Sequence, residues 1–132
     1  MSYIPDGRGA LAPGLAMPDV PVAIEFYQAA FGATVASTYT DDRGTVLHAE
    51  LDIDGSRLLL GPDSKTSTVA DDHPNICLSL YVPDVDATVE QALAAGATLK
   101  SAPGDRTYGV REAGLFDPFG VLWWVSTPLA AG

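Results

Sequence analysis

The chain has 132 residues, of which 47% are hydrophobic and 18% charged, and its 17 acidic and 7 basic residues give a net charge of −10. This length and composition exclude a disordered or fibrous protein and suit one domain with a sufficient core. The acidic balance argues against binding to nucleic acid or to anionic membranes, because both require clustered Lys and Arg. The negative charge would attract a cationic partner, or serve only solubility.

No membrane-directed segment is predicted. The apolar runs are too short to span a bilayer, and the first ten residues, MSYIPDGRGA, lack the basic and then apolar pattern of a signal peptide. A single cysteine, Cys77, excludes an internal disulfide and is typical of a reducing compartment. We therefore expect a cytoplasmic protein in which Cys77 is a small core residue of an apolar strand.

Two segments of the chain, residues 14–33 and 79–97, follow the same order. Each reads as a short apolar strand, then Pro-Asp-Val, then an amphipathic helix and Gly-Ala. Asp19 and Asp84 hold the same place and lie 65 positions apart (84 − 19). An internal repeat at a fixed offset indicates two copies of one structural unit.

The same offset recurs further along each segment, where Gly55 and Gly120 are also 65 positions apart (120 − 55). One offset that fits both ends argues against a chance match. The units cover about residues 10–62 and 75–127, and a polar linker of about 63–74 joins them. We therefore predict a single domain built of two repeats.

Capping residues mark one helix in each unit. Asp19 is the predicted N-cap of the first helix and Gly32 its C-terminal stop. In the second unit Asp84 or Asp86 is the N-cap, and Gly96 ends the helix. The residues expected to face the core at helical spacing are Ala23, Phe26, Tyr27 and Ala30, and then Val85, Val89, Ala92 and Leu93.

Three strands follow each predicted helix, at about 34–40, 45–53 and 56–61, and then at 98–103, 107–116 and 120–127. The segment VLHAELDI alternates most clearly, with Leu51 on an apolar face and His48 and Glu50 on the other. The apolar face should pack on a helix, and the polar face should border water or a cavity. Each unit is therefore βαβββ. We predict an α+β fold in which a mixed sheet curls around a cleft shared by the two repeats.

Several motifs in this order span nearly the whole chain, namely YIPDG, AIEFYQAAFGA, LHAELDIDGSRLLL, LYVPDVDA, ALAAGA, YGVREAG and DPFGVLWWVST. With them the chain resembles the vicinal oxygen chelate superfamily, in particular its PhnB-like, glyoxalase and bleomycin-resistance branch. The resemblance implies the fold of two βαβββ repeats and a homodimer. It does not name one function, because this fold hosts many.

The resemblance also implies where a divalent ion would bind. Metal enzymes of the family use His and Glu from equivalent strands of both repeats, and the corresponding positions here are Gly14, Leu59, Ser79 and Trp124. Glycine and leucine offer no ligand atom, serine is a poor ligand and tryptophan has only an N–H donor. We therefore expect no metal and no other cofactor. Isomerase and dioxygenase chemistry would then lack its Lewis acid.

Polar residues on the predicted strands are candidates for ligand contact. His48 and Glu50 point the same way, about 7 Å apart along the strand, and could contact a ligand, act as a weak base or face solvent. By the 65-residue offset Arg111 corresponds to Val46 and should face the cleft, where a guanidinium could pair with an acid or stack on a planar ligand. The alternative for Arg111 is an ion pair with Glu50 or Glu112.

The segment LFDPFGVLWWVST holds both tryptophans. By alternation Trp124 should face the cleft with Leu122, whereas Trp123 should be core. Trp124 would there either form an aromatic wall for a ligand or simply fill an empty cavity. The family likeness places Tyr108 near the cavity mouth. The residues predicted to contact a ligand are Tyr39, His48, Glu50, Leu59, Ser79, Tyr108, Arg111, Leu122 and Trp124.

Two classes of function fit these residues. The first is a metal-free binding protein that sequesters an aromatic or cationic small molecule, as the bleomycin-resistance members of the family do. The second is an enzyme of the glyoxalase-like lyase or isomerase type, or of the dioxygenase type, acting on a small metabolite. In its metal-free form, His48 or Glu50 would be the base. We favour the binding protein because the usual metal ligands are missing.

Overall fold

The computed structural model describes residues 4, 7, 9–62 and 76–130. Its elements are, in chain order, β1 Gly14–Met17, α1 Val20–Phe31, β2 Thr34–Thr40, β3 Val46–Ile53, β4 Ser56–Pro62, β5 Cys77–Tyr81, α2 Val85–Ala95, β6 Thr98–Asp105, β7 Val110–Phe116 and β8 Leu122–Pro128. The chain divides into two compact units, Met1–Val69 and Ala70–Gly132. The predicted linker, residues 63–74, lies outside the described residues.

Each unit builds its own four-stranded mixed sheet. The strand order is β1-β4-β3-β2 in the first unit and β5-β8-β7-β6 in the second. The outer strand β1 runs parallel to β4, as β5 does to β8, and the other neighbours are antiparallel. The predicted α+β fold of two βαβββ repeats is therefore confirmed.

Both helices end at the predicted glycines, α1 begins at the predicted N-cap, and of the two N-caps that the sequence offers for α2 the structure uses Asp84. Asp19 and Asp84 are the N-caps, and each carboxylate accepts a hydrogen bond of 3.1 Å from the backbone N–H three residues later. Gly32 and Gly96 end the helices with φ of 68° and 117°, a left-handed conformation that glycine adopts without steric cost. In the described part of the chain, neither helix is long and apolar enough to cross a membrane.

The core of the first unit lies between α1 and one face of its sheet. Tyr27 on α1, Leu51 on β3 and Leu60 on β4 are at most 2% exposed. Along β3 these buried positions alternate with half-exposed ones such as Glu50. The two faces of β3 therefore differ as its sequence alternation predicts.

The second unit repeats this arrangement, with α2 packed on β6, β7 and β8. Ala113, Leu115 and Val125 are at most 1% exposed. Trp123 is also buried, which confirms its predicted core position. The predicted core position of Leu93 is wrong, because this residue is 40% exposed. Leu93 directly follows a buried residue, and successive side chains of an α-helix are rotated by about 100° around the helix axis. Leu93 therefore points away from the core.

The two helices differ in length, which the fixed offset of 65 did not reveal. Helix α1 has 12 residues and α2 has 11. The two N-caps are therefore 65 positions apart, whereas the C-caps Gly32 and Gly96 are only 64 positions apart (96 − 32). Two residues lie between Ile53 and Ser56, which face each other at the end of β3 and the start of β4, whereas three lie between the equivalent positions Asp117 and Val121 in the second unit. This one additional residue restores the offset of 65 in the last strand.

The sheet registers show which residues of the two units correspond. Glu50 lies opposite Leu59, and Gly114 lies opposite Trp124. Leu59 and Trp124 are 65 positions apart, but Glu50 and Gly114 are 64 apart (114 − 50). Since a slip of one residue moves a side chain to the other face of a strand, the 65-residue offset assigns each β7 residue to the wrong face.

The Asp-Pro-Phe-Gly turn is organised by Asp117, which is buried. Its Oδ1 accepts hydrogen bonds of 2.9 Å from the backbone N–H groups of Phe119 and Val121. Its Oδ2 accepts a hydrogen bond of 3.0 Å from the indole N–H of Trp123. The turn therefore also fixes Trp123 in the core.

Candidate functional site

Each sheet has one face against its helix, and the opposite face is here called the open face. In the first unit the open face carries Tyr39, His48, Glu50, Arg57, Leu59 and Gly61. In the second unit it carries Ser79, Glu112, Gly114, Leu122, Trp124 and Ser126. Seven of the nine predicted contact residues are strand residues on these open faces. Tyr108 lies in the turn before β7, from which its hydroxyl reaches Glu112 on the open face, and Arg111 lies on the other face of β7.

The open face of the first unit holds a cavity of about 270 Å³, lined in part by Tyr39, His48, Glu50 and Leu59. The ring centroids of Tyr39 and His48 are 6.3 Å apart, with the rings inclined at 56°. The imidazole of His48 lies against Gly61, where a Cβ would be 3.1 Å from Nδ1. The absence of a side chain at Gly61 therefore leaves room for the ring.

The carboxylate of Glu50 is held by a cation on the neighbouring strand. Arg57 donates from Nη1 to Oε2 of Glu50 at 3.2 Å, and its Nε is 3.5 Å from Oδ2 of Asp52. The guanidinium therefore partly neutralises Glu50 and Asp52. Arg57 is not among the residues predicted to contact a ligand, although its spacing of two residues from Leu59 places both on one face.

On the second unit the indole of Trp124 lies against Gly114. A Cβ at Gly114 would be 2.7 Å from Cζ3 of Trp124, so the six-membered ring fills the space of the missing side chain. Ser79 lies directly opposite Trp124 on β5 and is exposed. The structure thus places Trp124 on the open face and Trp123 on the helix face.

Glu112 is the centre of a polar cluster on the same open face. The hydroxyl of Tyr108 donates to Oε1 of Glu112, and the hydroxyl of Ser126 donates to Oε2 at 3.1 Å. The Nε of Arg106 is 3.8 Å from Oε1. The hydrogen bond to Glu112 raises the pKa of the Tyr108 phenol, because ionisation would remove the donor.

Glu112 was predicted only as a possible ion-pair partner of Arg111. The correct offset of 64 makes Glu112 the counterpart of His48 (112 − 48). A signal for this was present, because the Gly-Ala pairs that end the two helices, starting at Gly32 and Gly96, are also 64 positions apart.

Arg111 lies on the helix face, so its predicted orientation toward the open face is wrong. Its Nε and Nη2 donate to Oδ2 and Oδ1 of Asp86 at 2.7 and 2.9 Å, and its Nη1 donates to Asp105 at 3.1 Å. The hydrogen bonds that Arg111 donates to Asp86 hold the pKa of the Asp86 carboxyl below its usual value. Arg111 thus forms its ion pairs with Asp86 and Asp105, and not with Glu50 or Glu112, the two alternatives that the sequence suggested.

Cys77 is exposed, so its predicted core position is wrong. The reason is alternation along β5, where the neighbouring Leu78 is the more buried residue. Cys77 lies opposite Leu122 in the register. Leu122 is on the open face but is itself buried.

The positions at which the family resemblance places metal ligands form two register pairs, Gly14 opposite Leu59 and Ser79 opposite Trp124. None of the four offers a carboxylate, imidazole or thiolate. Within residues 9–62 and 76–130, no three His, Cys, Asp or Glu side chains are grouped so that they could hold a metal ion. His73 lies outside the described residues. The residues at the four positions therefore do not fit a divalent ion.

The chain belongs to the glyoxalase/bleomycin resistance protein/dioxygenase superfamily, whose family model matches residues 10–125. It is 36% identical over 128 residues to the uncharacterized protein Rv0887c of Mycobacterium tuberculosis. The aligned region covers 91% of this chain and 75% of that protein. The superfamily resemblance that the motifs indicated is therefore confirmed.

Two solved structures are similar to this chain along nearly its whole length. TioX from Micromonospora sp. ML1 is 26% identical, with a TM-score of 0.73, over 92% of this chain and 99% of TioX. The PhnB protein from Bacillus cereus, described as a putative 3-demethylubiquinone-9 3-methyltransferase, is 18% identical, with a TM-score of 0.69, over 90% of this chain and 99% of that one. The PhnB similarity is one of fold alone.

Proposed function

We propose that this protein binds a planar aromatic small molecule on the open face of its second unit, without a metal and without chemical turnover. The observation that carries the proposal is the position of Trp124 against Gly114, at a place where the family resemblance puts a metal ligand. The indole is half-buried, so part of its surface can meet a ligand. Stacked aromatic rings contribute about 0.5–1.5 kcal/mol beyond the burial of their area.

The proposed ligand is an aromatic or cationic natural product, which the protein sequesters. The superfamily includes bleomycin-resistance proteins, which supports sequestration as a function of this fold. The net charge of −10 favours a cationic ligand over an anionic one. Ser79, next to Trp124, offers a hydroxyl for a hydrogen bond to such a ligand.

We further propose that the protein is a cytoplasmic homodimer. An exposed, unpaired thiol at Cys77 suits a reducing compartment. Among the strands that the structure describes, the end strands of the two sheets, β1, β2, β5 and β6, each have one backbone edge without a neighbour, and such edges are suited to pairing with a second chain. Light scattering after size-exclusion chromatography would report a monomer mass if the dimer proposal is wrong.

A second candidate function is an enzyme that uses the cavity of the first unit. The observation that favours it is the convergence of His48, Tyr39 and Glu50 on one cavity of about 270 Å³. A histidine in a cavity can act as a general base. Turnover of a small metabolite that His48→Ala abolishes, without a matching loss of binding, would support this alternative over sequestration.

The binding proposal is tested with a panel of bleomycin-type, anthraquinone and flavin-like compounds. Binding is followed by tryptophan quenching and by thermal shift, with and without Zn²⁺, Ni²⁺ or Fe²⁺. The variant Trp124→Leu removes the proposed stacking surface. The control Phe31→Leu removes an aromatic side chain from the last position of α1, in the first unit.

We expect at least one compound to bind with no need for metal, and to lose at least tenfold in affinity in Trp124→Leu but not in Phe31→Leu. If every bound compound keeps its affinity in Trp124→Leu, the stacking proposal is wrong. Stabilisation by a metal, together with no binding of any aromatic compound, would overturn the metal-free proposal.

A further inference from the structure

On the open face of the first unit, an aromatic ring packs against a glycine, and a carboxylate lies two residues away along the same strand. His48 lies against Gly61 on the neighbouring strand, one residue beyond the pair of Ala49 and Leu60. Two residues further along β3, Glu50 lies opposite Leu59. One aromatic ring and one carboxylate thus lie side by side on this face.

The second unit has the same two features, a ring packed against a glycine and a nearby carboxylate, but in the opposite order along the strand. Gly114 lies opposite Trp124, whose ring takes the space of the missing side chain. Two residues earlier on β7, Glu112 lies opposite Ser126. Both faces therefore carry a ring that rests on glycine and a carboxylate about 7 Å away along the strand.

The two carboxylates differ in what holds them. Glu50 is paired directly with Arg57 at 3.2 Å. Glu112 accepts hydrogen bonds from two neutral hydroxyl groups, those of Tyr108 and Ser126, and its ion-pair contact with Arg106 is longer, at 3.8 Å. Glu112 is therefore oriented mainly by neutral donors, which leave its negative charge less neutralised than that of Glu50.

The guanidinium of Arg106 makes its hydrogen bonds to β6 and not to Glu112. Its Nη2 donates to the Ser101 hydroxyl at 3.0 Å and to the Ala102 carbonyl at 3.2 Å, both on β6. These two bonds orient Arg106 toward β6 and leave only a longer contact with Glu112. The Glu112 side chain retains 15% exposure, and each carboxylate oxygen has a second lone pair for a further donor.

We propose that Glu112 is a second ligand contact, which binds the positive charge of a planar aromatic cation whose ring system stacks on Trp124. The inference rests on the proposed function, because it assigns the charge of the ligand that Trp124 is proposed to stack. A separation of about 7 Å along the strand matches a fused ring system that carries its charge away from the stacked ring. A charge-assisted hydrogen bond or ion pair to a partly desolvated carboxylate changes affinity by about tenfold.

The test compares two probes of similar shape that differ in charge. These are 10-methylacridinium, which is permanently cationic, and acridine, which is uncharged at about pH 8. Affinities are measured by isothermal titration calorimetry for the native protein, Glu112→Gln, Arg106→Gln and Trp124→Leu. Glu90→Gln is the matched control, because it removes one negative charge from an exposed position on α2.

We expect Glu112→Gln to weaken the binding of 10-methylacridinium about tenfold and to change acridine binding by less than twofold. Glu90→Gln should change neither affinity by more than twofold, and Trp124→Leu should weaken both probes. Arg106→Gln should tighten the binding of the cation alone, severalfold, because it removes a competing positive charge. This last variant tests the proposal even if Glu112→Gln folds poorly.

The proposal is overturned if Glu112→Gln and Arg106→Gln leave the preference for the cation over acridine unchanged. If Trp124→Leu still weakens both probes in that case, the stacking function stands and only the role of Glu112 fails. If Trp124→Leu has no effect, the stacking function itself fails. Absence of any binding of 10-methylacridinium to the native protein also contradicts the proposal.

Discussion

The glycine at position 114 decides where the Trp124 ring lies. A Cβ added there would be 2.7 Å from the ring, whereas a Cβ at Gly14 would meet nothing closer than 3.9 Å, at Leu59. Both positions belong to strands, but only Gly114 has a ring in the space of its side chain. The ring and the glycine therefore act as one structural unit.

We predict that Gly114→Ala displaces the Trp124 ring while the fold is kept. Overpacking of this kind lowers the free energy of unfolding by about 1–3 kcal/mol, and the tryptophan emission maximum should shift. Ligand affinity should fall as in Trp124→Leu. Gly14→Ala is the control, and urea unfolding followed by fluorescence should show little change there. Equal effects of the two substitutions would contradict this account.

A second residue-scale prediction concerns the phenol of Tyr108. Its hydrogen bond to Glu112 raises its pKa above 10.0, the ordinary value. This bond favours the neutral phenol in the folded state, so its contribution to stability is present below the ordinary pKa and is lost as the pH rises through the raised pKa.

The titration is measured by absorbance near 295 nm, with Tyr108→Phe to identify the transition. Glu112→Gln should move the pKa of Tyr108 back down toward its ordinary value, because the charged acceptor is removed. A transition that stays in place in Glu112→Gln would show that another group perturbs the phenol.

At the scale of elements, the turn between β7 and β8 depends on one buried carboxylate. Asp117 accepts from two backbone N–H groups and from the indole of Trp123. Removal of the Asp117 carboxylate leaves these three N–H donors without their acceptor, and unsatisfied buried donors lower the free energy of unfolding. The motif Asp-Pro-Phe-Gly is therefore a structural feature of the turn.

We predict that Asp117→Ala lowers the free energy of unfolding by about 2–4 kcal/mol, as expected from several lost hydrogen bonds. Asp42→Ala is the control, because Asp42 is exposed in the turn between β2 and β3, and it should change stability by less than about 0.5 kcal/mol. Chemical denaturation at neutral pH measures both. A loss below 1 kcal/mol in Asp117→Ala would mean that water replaces the carboxylate.

The elements also show where sequence reasoning succeeds and where it fails. Caps at Asp19 and Asp84 depend on local chemistry and could be predicted. The face of Arg111 depends on the length of a helix that lies before it in the chain. Because α2 is one residue shorter than α1, the offset between the repeats falls from 65 to 64. Arg111 therefore lies on the face of β7 opposite to the one predicted, where it binds Asp86 on α2.

At the scale of the whole molecule, the net charge of −10 acts on any charged ligand before contact. Electrostatic attraction speeds the association of opposite charges and is screened by salt, with a Debye length of about 10 Å at 0.1 M. An uncharged ligand experiences no such effect.

We predict that raising NaCl from about 10 to 150 mM slows the association of 10-methylacridinium severalfold and leaves that of acridine unchanged. Stopped-flow fluorescence measures both rates. Equal salt dependence for the two probes would show that the charge of the protein serves solubility rather than attraction of the ligand.

The βαβββ repeat, the helix caps, the two faces of β3 and the residue types at the four metal-ligand positions could all be predicted from sequence patterns. These features follow from local periodicity, from capping chemistry and from residue identity. Three further features became visible only in the folded chain, namely the cluster of Glu112 with Tyr108 and Ser126, the exposure of Cys77 and the binding of Arg111 to Asp86. The physical reason is that strand register fixes the face of every side chain. Register depends on element lengths and on partners distant in the chain, which local patterns do not contain.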